Sequence, residues 1–262
     1  MTKQRVVCDT MIWYNISTGL IPKDRYENFE LISTYLNIYE ILTSNHLLRE
    51  PERTFKALNS LMRESNTKYL NPFQYFDEKT NERFNKNIKD VQIEFVNKLV
   101  SGALEYKMDI ESNNLDTQIK NKAFTNLNLL FSQEKEEVLY TKKIIKEYRD
   151  NHSKKEVKEI VKSNAGKKAH LEAMRNDFVY LFSEGVLNDA SNVDLSSFQL
   201  IINTFDTFLI NLEKGACSWQ QNDDEDLFNL IYVGPNDKYW TQEKKWKNII
   251  KEAGMEAYLF EN

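Results

Sequence analysis

Apolar and polar positions along this chain alternate between two regimes. Arg-Val-Val-Cys-Asp-Thr, residues 5 to 10, is a short run rich in β-branched residues that closes on a polar pair. That pattern predicts a buried strand with Asp9 and Thr10 at its carboxyl end. After a loop carrying Gly19 and Pro22, residues 27–45 take up helical spacing, with Ser33 and Thr34 as caps and Tyr35, Ile38, Tyr39 and Leu42 as the apolar stripe. Glu40 sits beside that stripe. A further helix is predicted over 51–65, opening on Pro51, and a short strand over 67–73, closed by Asn71-Pro72. From about 77 to 215 one amphipathic helix follows another, the longest over 85–108 and 198–215. Beyond residue 217 the first regime returns. A helix opens on the acidic run 223–226 and continues to Val233, Gly234–Asp237 turns, and 238–241 is a strand. The helix after it is stopped by Gly254, and 255–260 is a last strand.

Strands and helices that alternate in this way predict an α/β fold with a central parallel sheet flanked by helices. The long helical stretch does not belong to such a repeat. The expected organisation is therefore a core made of residues 1–76 and 216–262, interrupted by a mostly α-helical insertion, 77–215. Composition agrees: seven Gly and four Pro in 262 residues leave most of the chain free to be helical. Charged residues at 29% and apolar ones at 41% exclude a disordered chain. Cys8 and Cys217 show neither metal spacing nor a disulfide framework. The first apolar run is broken by Asp9, so neither a signal peptide nor a membrane span is read, and a cytoplasmic location is the expectation.

The acids change the picture. In an open parallel sheet, ligands bind at the carboxyl ends of strands. Asp9 stands at one such end, and Thr241 and Glu243 at another. Asp223 and Asp226 share a face one helical turn apart at a helix start. The helix macrodipole accounts for one or two acids there, and Asp224 and Glu225 read as solvated first-turn residues. Four carboxylates arriving from separate segments would repel unless a cation neutralises them. Oxygen ligands of this kind suit Mg²⁺ or Mn²⁺.

The order strand-Asp-Thr, helical Glu, Asn-Asp-x-x-Asp opening a helix, then strand-Thr-x-acid resembles the PIN-domain nucleases. The resemblance covers 1–76 and 216–262. It implies a PIN-like three-layer fold whose metal-holding acids fall on Asp9, Glu40, Asp226 and Glu243, with Asp223 as a further ligand candidate. The fourth position carries Glu where the family usually has Asp. The implied activity is Mg²⁺- or Mn²⁺-dependent hydrolysis of phosphodiester bonds, in which bound metal activates a water and neutralises the leaving oxygen. By analogy the substrate is RNA sooner than DNA. Cleavage of DNA in flap or defence systems is the enzyme alternative, and a scaffold that binds RNA or protein without cutting is the non-enzyme one. An inhibitory protein partner and a homodimer stay open.

With a net charge of −5, affinity for nucleic acid must come from local patches. Residues 142–175 hold eleven Lys or Arg against five acids, and this is the candidate phosphate-tracking arm, with Lys154, Lys155 and Lys158 at its centre. A solvated helical face is the plainer account of such a run. Thr10 and Thr241 are candidates for contacting the acids or a phosphate. Trp219, Trp240 and Trp246 read as core before base-stacking groups. The histidines lie outside the acidic segments.

Overall fold

The computed structural model describes residues 2–44, 46–81, 84–111, 159, 162–187, 189–220 and 222–261, and only the backbone at residue 48 and residues 104–111. It is an α/β protein in which four strands form an all-parallel sheet with helices around it. The described elements, in chain order, are β1 (Arg5–Cys8), α1 (Thr10–Ser17), β2 (Glu30–Thr34), α2 (Tyr35–Thr43), α3 (His46–Arg49) and α4 (Pro51–Glu64). They continue with β3 (Ser65–Lys68), α5 (Pro72–Thr80), α6 (Lys86–Glu111), α7 (Asn164–Phe182), α8 (Gln199–Lys214), α9 (Asp223–Asn229), β4 (Lys238–Trp240) and α10 (Lys244–Glu252). Among the described residues, those up to 71 and from 85 to 111 make one compact unit, and those from 72 to 84 and from 159 onwards make another.

In the first unit, β1 pairs with β2 and β2 with β3, both in parallel. Val6, Val7 and Cys8 are fully buried, as the unbroken apolar run of a parallel strand requires. β2 corrects the expectation of a helix from residue 27. Leu31, Ile32, Ser33 and Thr34 are all buried, so this strand lacks the alternation that separates strand from helix, and its apolar positions run on into the stripe of α2. The polar pair inside the core is accommodated locally. Ser33 Oγ meets Thr67 Oγ1 at 2.9 Å and Ser65 Oγ at 2.7 Å, a hydroxyl ladder across the β2–β3 register. Thr34 caps α2 as expected: its side chain accepts from the Asn37 amide at 3.2 Å, and Asn37 Oδ1 accepts from the Thr34 amide at 2.9 Å. Replacing Thr34 with Ala should therefore cost about 1 kcal/mol of stability, read as a lowered urea midpoint at unchanged slope.

Two more boundaries move. The strand expected over 67–73 is β3, at 65–68, and Pro72 opens α5 where it was read as closing a strand. Proline marks a boundary in both readings, but at a first helical position its missing N–H costs nothing. Residues 10–17, not foreseen as a helix, form α1, which buries Ile12, Trp13, Tyr14 and Ile16 and packs on α4.

The second unit is built around aromatic rings. Phe73 and Phe76 of α5, Phe178 and Phe182 of α7, Phe198 and Phe228 pack with centroid separations between 4.6 and 6.1 Å. A second cluster joins Phe208 of α8 to Trp219 at 5.4 Å and Trp246 at 5.2 Å. Trp240 packs on Phe260 at 4.8 Å, so Trp240 and Trp246 serve the core, as expected, while Trp219 is half-buried at its edge. His170 of α7, buried, and Asp206 of α8, half-buried, form a pair at 2.5 Å that ties those helices together. The described part of 77–215 contains no strand. α10 ends as predicted, on Gly254 in the left-handed region with φ 71°. The final strand does not form in full. Glu256–Tyr258 is a 3-10 turn, and only Leu259 bridges Tyr239 in parallel, because Leu259 and Phe260 alone of this segment are buried. No helix among the described residues is long and apolar enough to cross a membrane.

Candidate functional site

In the first unit the sequence places an acid where a buried strand meets a helix. Asp9 follows β1 in extended geometry, is only 5% exposed, and occupies the N-cap position of α1 without making a capping bond from its side chain. The helix start still favours its negative charge. The next residue, Thr10, accepts from Asn37 Nδ2 at 3.0 Å. Asn37 is fully buried, and its Oδ1 also accepts from Trp13 Nε1 at 3.3 Å. One side chain therefore fastens the start of α2 to the start of α1. Glu40 follows Asn37 by three residues and so shares its face, half-buried, just as Tyr14 follows Thr10 by one turn. Burial raises the Tyr14 phenol, against hydrogen bonds with Ser44 and Thr54 and the Arg53 charge, and the Glu40 carboxylate adds the smallest upward push. Asn37 was missed by the sequence reading. Its signal was the Thr-x-x-Asn spacing, a variant of the capping box that usually carries Glu or Gln.

Cys8 lies beside Asp9 and is inert. Burial first, and then the Asp9 carboxylate, push its thiol well above the ordinary range, against a smaller opposing hydrogen bond from Ile32. A thiol held protonated is no nucleophile.

In the second unit the acidic run opens α9. Asp224 was expected to be solvated, but it is fully buried, and Asp223 is 2% exposed. α9 is only seven residues long, and α8 and the following 3-10 turn pack against it, which covers the side that carries Asp223 and Asp224. Asn222 holds the N-cap position without a side-chain bond. Asp223 is engaged: both its oxygens accept from Lys245 Nζ, and one accepts from the Gln220 amide at 2.6 Å. Asp226, half-buried, accepts through Oδ2 from Trp246 Nε1 at 2.9 Å. Glu243 is exposed at the N-cap of α10, and its backbone amide donates to Thr241 Oγ1 at 3.1 Å. Thr241 is 1% exposed, so its hydroxyl shapes this turn from within.

The two units thus supply two pairs of acids on adjoining elements, Asp9 with Glu40 and Asp226 with Glu243. Among the described residues, no three His, Cys, Asp or Glu side chains stand as a formed ligand group. The donors available are carboxylate oxygens, some buried and some facing solvent, and their chemistry fits Mg²⁺ or Mn²⁺. Lys154, Lys155 and Lys158 lie outside the described residues. The chain matches no protein-family model, no curated protein and no solved structure.

Proposed function

We propose that this protein is a PIN-like nuclease that hydrolyses phosphodiester bonds in RNA, with Asp9, Glu40, Asp226 and Glu243 holding Mg²⁺ or Mn²⁺. The observation that carries the reading is Asp9, a carboxylate 5% exposed at the carboxyl end of a parallel strand. Open parallel sheets bind their ligands at that end. The parallel order of β1, β2 and β3 and the helices that follow β1 and β2 suit a three-layer core of this family.

When bound, the metal supplies a nucleophilic water at neutral pH and charge neutralisation at the leaving oxygen. The chain's own residues supply the rest. Asn37 holds the start of α2 against that of α1, which keeps Glu40 and Asp9 on neighbouring elements. The raised Cys8 thiol leaves no competing nucleophile beside Asp9. A second reading, a scaffold that binds RNA without cutting it, is favoured by one feature: Glu243, exposed, where the family usually places Asp.

The test is a pool of labelled RNA and DNA oligonucleotides incubated with the full chain, with Mn²⁺, Mg²⁺ or a chelator. RNA cleavage that needs the metal and stops with the chelator is the expected result. Binding of RNA without cleavage in any metal would select the scaffold, and cleavage confined to DNA would move the substrate.

A further inference from the structure

α10 turns Trp246, Ile249 and Ile250 into the core. At helical spacing the opposite side carries Lys244, Lys247, Asn248 and Lys251. Neither an acid nor an apolar residue interrupts that face. The nearest acids of the helix lie at its edges: Glu243 at the N-cap, and Glu252, which accepts from Asn211 Nδ2 of α8 at 2.6 Å. Given the nuclease reading above, on which this step rests, we infer that Lys244, Lys247 and Lys251 form a surface that holds the phosphate backbone of the RNA.

This face differs from an ordinary solvated one. Exposed lysines of α4 and α6 are matched along their own helices, Lys56 to Glu52 at 2.6 Å and Lys98 to Glu94 at 2.7 Å, each four residues apart. Lys244 and Lys247 make no ion pair among the described residues, although Glu243 stands four residues before Lys247. Lys251 meets Glu261 at 3.1 Å, but both side chains are exposed, so water and salt keep that pair exchangeable. The first turn of α10 holds no acid, and the helix dipole disfavours cations there. Lys244 and Lys247 thus stand against the field of their own helix with no local compensation, the pattern expected where function sets the residue. The wholly polar make-up selects the partner. Protein interfaces are organised around buried aromatic or aliphatic anchors, and this face has none. A phosphate backbone needs only ammoniums that displace its counterions. Lysine supplies a point charge on a flexible stem, which holds a strand without reading its bases.

The experiment titrates a fluorescein-labelled single-stranded RNA with the full chain, with chelator present to prevent hydrolysis. Anisotropy gives the affinity at salt concentrations between about 50 and 200 mM. In the triple variant Lys244→Gln/Lys247→Gln/Lys251→Gln, the slope of log affinity against log salt should shrink by about 2, since each phosphate contact on a single strand contributes about 0.7. The same three positions changed to Arg should keep the slope, as should Lys56→Gln/Lys98→Gln. The Gln variant should melt at or above the wild-type temperature, because it relieves the conflict with the helix dipole. An unchanged slope in the Gln variant overturns the surface, and RNA cleavage by that variant would leave the nuclease reading standing without it. Wild type that neither binds nor cleaves RNA overturns both. Poly-glutamate that displaces the RNA at equal affinity, and loses its own binding in the Gln variant, overturns RNA as the occupant in favour of an acidic protein segment.

Discussion

Replacing Asp9 with Asn is expected to abolish metal-dependent cleavage while leaving the metal-free protein as stable as wild type, or more so. The side chain is almost fully buried at the end of β1, and it makes no capping bond to α1 that the substitution could remove. Asn keeps the shape and most of the hydrogen-bonding capacity. What it loses is the charge that a divalent ion requires. Crowded carboxylates raise one another's pKa and oppose folding in the absence of a cation, so loss of one charge relieves the metal-free state. Wild type should gain melting temperature with Mn²⁺, because a ligand at 100 times its Kd stabilises by about 2.7 kcal/mol. Asp9→Asn should gain much less. The Cys8 thiol gives an independent readout. Its pKa should fall in the variant, since the Asp9 carboxylate contributes to its elevation, yet stay high, since burial is the larger cause. Lost metal-free stability together with an undiminished Mn²⁺ shift would assign Asp9 a structural role and leave the scaffold reading ahead.

How much of this was legible in the sequence depends on what each pattern measures. β1 was readable because its run is apolar, short and ends sharply on Asp9. β2 was not, because a strand buried on both faces has no period, and Leu31 and Ile32 lead straight into the stripe of α2. Thr34 was placed correctly as the cap of α2, although the strand that it terminates was not seen. β3 was expected two residues late and too long, over 67–73, because its own run, Ser-Asn-Thr-Lys, is polar and carries no hydrophobicity pattern. It is a strand because its hydroxyls meet Ser33, a contact 32 to 34 residues distant in sequence. Pairing of that range is decided by tertiary structure and leaves no local trace.

The acids show the same division. Their positions at strand ends and helix starts follow from local pattern, and Asp9, Asp223 and Asp226 are found there. Their environments do not. Asp224 looks like Glu225 in sequence, yet one is fully buried and the other half-exposed, because α9 is short and covered by α8. Asp223 and Asp226 look equivalent at one-turn spacing, and only the residues opposite distinguish them, an ammonium for one and an indole for the other. Those partners lie 20 to 22 residues away on α10. Lys245 had no signal of its own in a helix that reads Lys-Lys-Trp-Lys.

That asymmetry between the partners sets the largest stability effect expected here. Lys245→Met should cost roughly 3 kcal/mol, the range for breaking a buried ion pair by removing one partner, because Asp223 is then left charged and enclosed. Asp223→Asn should cost distinctly less. The side chain of Lys245 is 23% exposed against 3% for Asp223, so the orphaned ammonium reaches water where the orphaned carboxylate cannot. It also lies over the rings of Phe208 and Trp246, at 5.0 and 5.5 Å, which retain some attraction for a cation. The double variant should be more stable than the two single losses added together, since each single change harms mainly by stranding the other group. Denaturant unfolding of the four proteins at neutral pH measures all of this. Equal single losses would mean that the pair is solvated from both sides. The same proteins carry a metal readout. Asp223→Asn should keep most of its Mn²⁺-induced stabilisation, because Asp223 anchors the turn without holding the ion. If instead it loses that stabilisation as fully as Asp226→Asn, Asp223 is itself a ligand and Lys245 is the cation that holds its place in the metal-free protein.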